Sequence, residues 1–256
     1  MKELTGVYVI WLRDIKRFFR DKPRIIGSMA QPAIFLFILG IGISSSFTML
    51  GGGKGGKDFL PFMFPGIIGM TVLFTSFFSA VSIIWDREFG FLKEILVSPI
   101  SRTSIVIGKI LGGSTIAMTQ GSIILLFAPF LKIPITFSSI LKLIPIMFLA
   151  AACISSLGIV LASKLKTMQS FQVITNFMLM PMFFLSGALF PLVNVPKWMT
   201  VISKINPLSY GVDAMRFVLL KDAAVQLYPL HIDVFVLIAM TIVISTVAIL
   251  LFNTQE

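Results

Sequence analysis

Leu143-Ile-Pro-Ile-Met-Phe-Leu-Ala-Ala-Ala-Cys-Ile-Ser-Ser-Leu-Gly-Ile-Val-Leu-Ala-Ser163 runs for 21 residues without a charged side chain. About 20 such residues carry an α-helix across roughly 30 Å of hydrocarbon. Working outward, similar stretches recur from Ile25 to Ser45, Leu60 to Trp85, Ser104 to Leu131, Phe171 to Leu192 and Leu230 to Phe252. In lipid each backbone N–H and C=O must be satisfied within the chain, so these stretches predict helices. The expectation is an all-α polytopic membrane protein with six transmembrane helices. Its fifth span is broken, because Pro181, Gly187 and Pro191 interrupt it and Pro196 follows.

Composition supports this reading. Hydrophobic residues make up 57% of the 256 and charged residues only 12%, about half the share of an average soluble domain. Mean hydropathy is +0.98. The net charge of +10 lies between the apolar stretches. No basic run is interleaved with aromatics on a soluble domain, so the charge points to a lipid surface rather than nucleic acid. The single cysteine, Cys153, allows neither a disulfide framework nor a thiolate metal site. The first apolar stretch follows some two dozen mixed residues, as a retained N-terminus would have it.

Basic residues set the orientation. With six spans, 13 of the 21 fall on the side of the N-terminal cluster Arg13, Lys16, Arg17, Arg20, Lys22 and Arg24, which predicts both termini cytoplasmic in a multi-pass cell-membrane protein. The domain plan is then a cytoplasmic interfacial helix over 1–24, a transmembrane domain over 25–252 and a tail over 253–256. Within the transmembrane domain, 193–229 is an external loop or re-entrant region, where Trp198, Ile202 and Ile205 recur at helical spacing.

Two amphipathic elements lie outside the spans. From Leu4 to Arg20, Leu4, Val7, Tyr8, Trp11, Ile15, Phe18 and Phe19 gather on one helical face, with Lys2, Arg13, Lys16, Arg17 and Arg20 opposite. That pattern suits a helix at headgroup depth, anchored in lipid or docked on a partner. Between the second and third spans, 86–99 forms a second two-faced helix ended by Pro99. There Phe89, Leu92, Ile95 and Leu96 face one way and Asp86, Arg87, Lys93 and Glu94 the other. A simple connection could be far shorter, so this element reads as a docking surface.

Catalytic parts are not expected. Gly51 to Asp58 matches a phosphate loop up to Lys57, but ends in Asp where Ser or Thr would hold Mg²⁺, and no strand precedes it. His231 and Asp233 offer too few ligands for a metal and read as an interface-exposed pair. Gln31, Gln120, Gln172 and Asn176 suit hydrogen bonds between helices or a polar path. Phe74, Phe77, Phe78, Asn176, Met178, Met182 and Phe183 are the candidate lining of a substrate route, with ordinary packing as the alternative. The pairs Gly108/Gly112, Ala151/Ser155 and Gly158/Ala162 offer small-residue seams to neighbouring helices.

The string Arg87-Glu88-x-Gly90-x-Leu92-x-x-Ile95-Leu96-x-Ser98-Pro99-x-Ser101-Arg102, then Gly108-Lys109, resembles the loop of ABC-transporter permeases of the type-2 exporter family. The drug-resistance and polysaccharide-export members are the nearest kin. A second match is Leu185-Ser186-Gly187-x-x-Phe190-Pro191, then Pro196, Asn206-Pro207-Leu208-Ser209-Tyr210 and Asp213-x-x-Arg216. Phe91 stands where Thr is frequent, and Lys93-Glu94 reverses a commoner acidic-first order. The resemblance implies a homo- or heterodimer of permeases bound to two separate cytoplasmic ATPase subunits, which would hold the ATP and Mg²⁺; no cofactor is expected in this chain. It further implies an amphiphilic or lipid-linked cargo. Arg87, Glu88, Phe89, Gly90, Phe91, Leu92, Glu94, Ile95 and Leu96 would then form the coupling surface, buttressed by Arg13 and Arg17 of the N-terminal helix. An ATPase-independent secondary transporter or channel is the alternative.

Overall fold

The computed structural model describes residues 2–49, 55–89, 100–131, 133, 135–165, 167–193, 195–220 and 226–254, which are helical with no strand among them. Helix α1 (Lys2–Arg20) turns at Asp21 into α2 (Lys22–Ile34), which opens with Pro23 in its first turn, where its missing N–H costs nothing. Past Pro32, α2 passes through a π-helical turn (Phe35–Gly40) into α3 (Ile41–Met49). Helix α4 (Gly55–Ser79) is offset at Ala80 from α5 (Val81–Glu88). There follow α6 (Arg102–Leu125), α7 (Phe137–Lys164), α8 (Met168–Phe184), α9 (Lys197–Ile205), α10 (Pro207–Leu220) and α11 (Leu230–Asn253).

Five of these helical stretches are long and apolar enough to cross a bilayer: Ile25–Ser46, Phe59–Glu88, Arg102–Leu131, Phe137–Lys164 and Leu230–Asn253. The second is the centre of the fold. Its Phe64, Ile67, Ile68, Leu73 and Phe77 have no exposed surface, and α4 packs against α6, α7 and α10. The first and last spans leave most of their surface open to lipid.

Lipid tails are as apolar as leucine, so close approach rather than expulsion of water holds such helices together. The expected seams lie at such approaches. Gly108 and Gly112 of α6 face Ile10 and Asp14 of α1, and Gly158 of α7 faces the Phe77 carbonyl and Ala80. Beside it the Ser155 hydroxyl donates to the Ser76 carbonyl at 3.3 Å.

Three expectations need correction. The fifth span was placed over 171–192, but α8 ends at Phe184. Seventeen residues rise about 25 Å, short of the hydrocarbon thickness. The chain then turns through Gly187, whose φ of 77° lies in the left-handed region open to glycine. The backbone of Ala188 presses on Gly66 of α4, where even a Cβ would lie 2.2 Å from the Ala188 oxygen.

Second, the region 193–229 is largely helical. Helix α9 is amphipathic, with Trp198, Ile202 and Ile205 exposed as the spacing predicts. Helix α10, however, is buried along nearly its whole length between α4, α7 and α11.

Third, the two-faced helix over 86–99 does not start at Asp86. Residues 86–88 complete α5 and the second span, with Asp86 buried, while Gly90 to Pro99 lie outside the described residues. So do Gly51 to Lys54; the helix that follows already begins at Gly55.

Candidate functional site

Gly6, Ile10 and Asp14 recur every four residues on α1, which places them on one face. That face lies on α6: Gly6 meets Ile100, Ile10 meets Gly108 and Asp14 meets Gly112. The Trp11 indole donates to the Thr115 hydroxyl at 3.1 Å. At the start of the helix the Glu3 carboxylate accepts from the Ser101 hydroxyl at 2.7 Å and the Ser104 hydroxyl at 2.5 Å. Those hydroxyls and the Ser101 N–H hold the Glu3 carboxyl below the usual carboxylate range. Leu4, Tyr8 and Phe19, assigned to the apolar face, are exposed, while Phe18 is buried. Thus α1 carries a lipid-facing stripe and a separate docking face, and what it docks on is its own chain.

The docking face ends in a cluster of charges. Asp86, buried at the end of α5, accepts from Arg13 at 2.8 Å and from Lys109 of α6 at 3.1 Å, and lies 3.8 Å from Arg17. Lys109, also buried, reaches Asp14 at 3.2 Å and donates to the Ser82 hydroxyl at 2.8 Å. Arg17 lies over the Trp85 ring, 4.9 Å from its centroid. The charges face one another because neither carboxylate nor ammonium could be buried alone. Arg13 and Arg17, expected to buttress an ATPase-facing surface, are therefore turned at least partly inward, tying α1 to α5 and α6.

Arg87 and Glu88 also reach inward. The Arg87 guanidinium donates to the Leu165 carbonyl at 2.9 Å, beyond the end of α7. The Glu88 carboxylate accepts from the Met168 N–H at 3.3 Å, satisfying one of the open N–H groups at the start of α8 and placing negative charge at its positive dipole end. Across the segment, Ser101 holds Glu3 and caps α6 through the Ser104 N–H at 3.1 Å. Arg102 donates to the Asn253 carbonyl at 2.7 Å, at the end of α11. The residues flanking 90–99 are thus tied to α1, α6, the α7–α8 turn, α8 and α11. Glu88 is exposed despite this bond, and Phe89 is 72% exposed. Gly90, Phe91, Leu92, Glu94, Ile95 and Leu96, assigned to the same surface, lie outside the described residues.

The proposed route residues do not share one lining. Phe77 is buried, stacked on Phe171, and Phe183 is buried edge-on to Phe35. Phe74 and Phe78 line a cavity of about 250 Å³ between α1, α2, α4 and α6. Met182 lines a more open, apolar groove of about 570 Å³ with Ile202, Ile205 and Asn206. Asn176 is exposed on α8 and Met178 is half-buried. Gln120 joins Thr75 and Ser28 across three helices, the hydrogen-bonding role open to it in the sequence.

A second polar set lies in the region expected to be an external loop or re-entrant region. In α10 the Arg216 guanidinium donates to the Gly187 carbonyl at 2.7 Å and the Phe62 carbonyl at 3.3 Å, and lies over the Phe62 ring. Asp213 accepts from the N–H groups of Leu227 and Tyr228, each at 2.9 Å. Asn206 donates to the Met182 carbonyl at 2.7 Å. These contacts pin α10 to the break after α8. Asp233 is buried and His231 exposed, so the two do not form the expected interface pair. The signal that could have found α10 was Pro207, suited to a first helical turn, with Asp213 and Arg216 three residues apart on one helical face.

The ABC-2 type transporter family model matches residues 5–220. The chain is similar to "Putative transport permease ycf38" of Cyanophora paradoxa, 32% identical over 209 residues, covering 79% of this chain and 71% of that protein. It is similar to "Nodulation protein J" of Rhizobium meliloti (strain 1021), 27% identical over 210 residues, with 81% and 78% covered. A third relative is "Probable multidrug ABC transporter permease YbhR" of Escherichia coli (strain K12), 28% identical over 172 residues. That alignment covers 66% of this chain and 46% of the relative.

Proposed function

We infer the function of this chain from its family, for it belongs to the ABC-2 type transporter family and is a multi-pass transport permease. We propose that it is the membrane subunit of an ATP-driven exporter. Two cytoplasmic ATPase subunits would supply the energy and bind the ATP and Mg²⁺, a second permease copy would complete the assembly, and both termini would be cytoplasmic. The cargo would be amphiphilic or lipid-linked.

One observation supports the coupling reading: the described residues on either side of 90–99 are bonded to α1, α6, α8 and α11. A push on that segment therefore reaches several helix ends at once. Packed, hydrogen-bonded elements of this kind move between discrete arrangements rather than bending smoothly. In this account Phe89, Gly90, Phe91, Leu92, Glu94, Ile95 and Leu96 meet the ATPase. Arg13, Arg17, Arg87 and Glu88 transmit its movement from behind. The test is a permease purified with its ATPase. Leu92→Asp should abolish complex formation while the protein still inserts, and Arg13→Ala with Arg17→Ala should preserve the complex yet uncouple hydrolysis from transport. If both variants transport normally, the segment does not couple the two subunits.

A further inference from the structure

The cavity between α1, α2, α4 and α6 has a mixed lining. Arg17, Asp14, Ser28, Gln31 and Gln120 supply its polar groups, and Phe74 and Phe78 an apolar wall beside them. Ser28 lies one helical turn inside the first span, which starts at Ile25, about 5 Å along the helix axis. That is the depth at which lipid headgroups give way to acyl chains.

Charge around the cavity is uneven. Asp14 and Asp86 are already held by Lys109 and Arg13. Arg17 carries five N–H donors, yet its one ion contact is the 3.8 Å approach to Asp86, and its plane rests on Trp85. The Gln31 carboxamide lines the same space and makes no hydrogen bond to a described residue. A guanidinium and an amide with unspent donors in one cavity suit an oxyanion.

The cavity does not stand alone. A second cavity of about 410 Å³ shares Gly27, Ser28 and Phe78 with the first and is walled by Val81, Trp85 and Phe171. A Cβ added at Gly27 would meet nothing within 4 Å. The two cavities therefore adjoin at Gly27, Ser28 and Phe78, beside open space.

We propose that this cavity binds the phosphate of an anionic membrane lipid, with the headgroup on Arg17 and Gln31 and an acyl chain running past Gly27 and Phe78. The site stands whether or not an ATPase drives the permease. It is tested with the permease alone, in nanodiscs of equal parts phosphatidylglycerol and phosphatidylcholine, by mass spectrometry of lipid retained after delipidation. Phosphatidylglycerol should be retained over phosphatidylcholine by roughly tenfold, the scale of one charge-assisted hydrogen bond. Arg17→Ala should remove that preference. So should Gly27→Leu, which fills open space and leaves the thermal midpoint unchanged. Equal retention of both lipids, or an undiminished preference in Gly27→Leu, overturns the proposal. Thermal stabilisation by inorganic phosphate in lipid-free detergent equal to that by phosphatidylglycerol also overturns it, in favour of a free-anion site.

Discussion

Lys109 shows how much depends on single side chains. Among the described residues it is the one ammonium that touches both Asp14 and Asp86, with Lys109 and Asp86 buried and Asp14 nearly so. Lys109→Met should cost about 3 to 5 kcal/mol, because it strands a carboxylate rather than merely removing a pair. Thermal or denaturant unfolding in micelles would measure this, and Asp86→Asn added to the same variant should recover part of the loss. Gly66→Ala brings a Cβ against backbone that cannot move aside. It should cost more than about 3 kcal/mol and show as lost folded yield. Glu3 gives a pH signature. Its carboxyl sits below its ordinary value in the folded chain. The clasp on Ser101 and Ser104 is therefore complete above the ordinary carboxylate range and is lost as pH falls through the lowered value. Hydrogen exchange at the start of α1 should rise there, and Glu3→Gln should remove the dependence.

At the scale of elements, the sequence makes the spans legible because lipid leaves the backbone few alternatives, and the seams at Gly108, Gly112 and Gly158 because small residues in apolar helices mark contacts. Helix α10 is less legible. Asp213 and Arg216 give it the polarity of a loop, while its carbonyl and N–H partners at Gly187, Phe62, Leu227 and Tyr228 come from distant parts of the chain. The inward turn of Arg87 and Glu88 is hidden for the same reason: Leu165 and Met168 lie about 80 residues away in sequence. Helix α1 was legible as amphipathic, but periodicity alone did not separate its lipid stripe from its docking face. Gly108→Leu tests the docking. A larger side chain there meets Ile10 and the Val7 carbonyl, which should cost about 1 to 3 kcal/mol and expose Arg17 and Arg20 to trypsin while the spans stay protected. Unchanged cleavage would mean that α1 is held by lipid instead.

The whole molecule is a bundle whose most enclosed helix pair, α4 and α5, runs from the break near Gly66 to the ion cluster at Asp86. Residues 90–99, proposed to meet the ATPase, follow that pair in sequence, and α1, α8 and α11 are bonded to the described residues that flank them. The central claim is that energy enters at this segment from another protein. Liposomes holding this permease with its ATPase, compared with liposomes holding the permease alone, test that claim most directly. The account predicts ATP-dependent cargo movement only with both subunits, lost in Leu92→Asp while insertion is retained. Cargo movement by the permease alone, driven by an ion gradient and indifferent to Leu92→Asp, would contradict it.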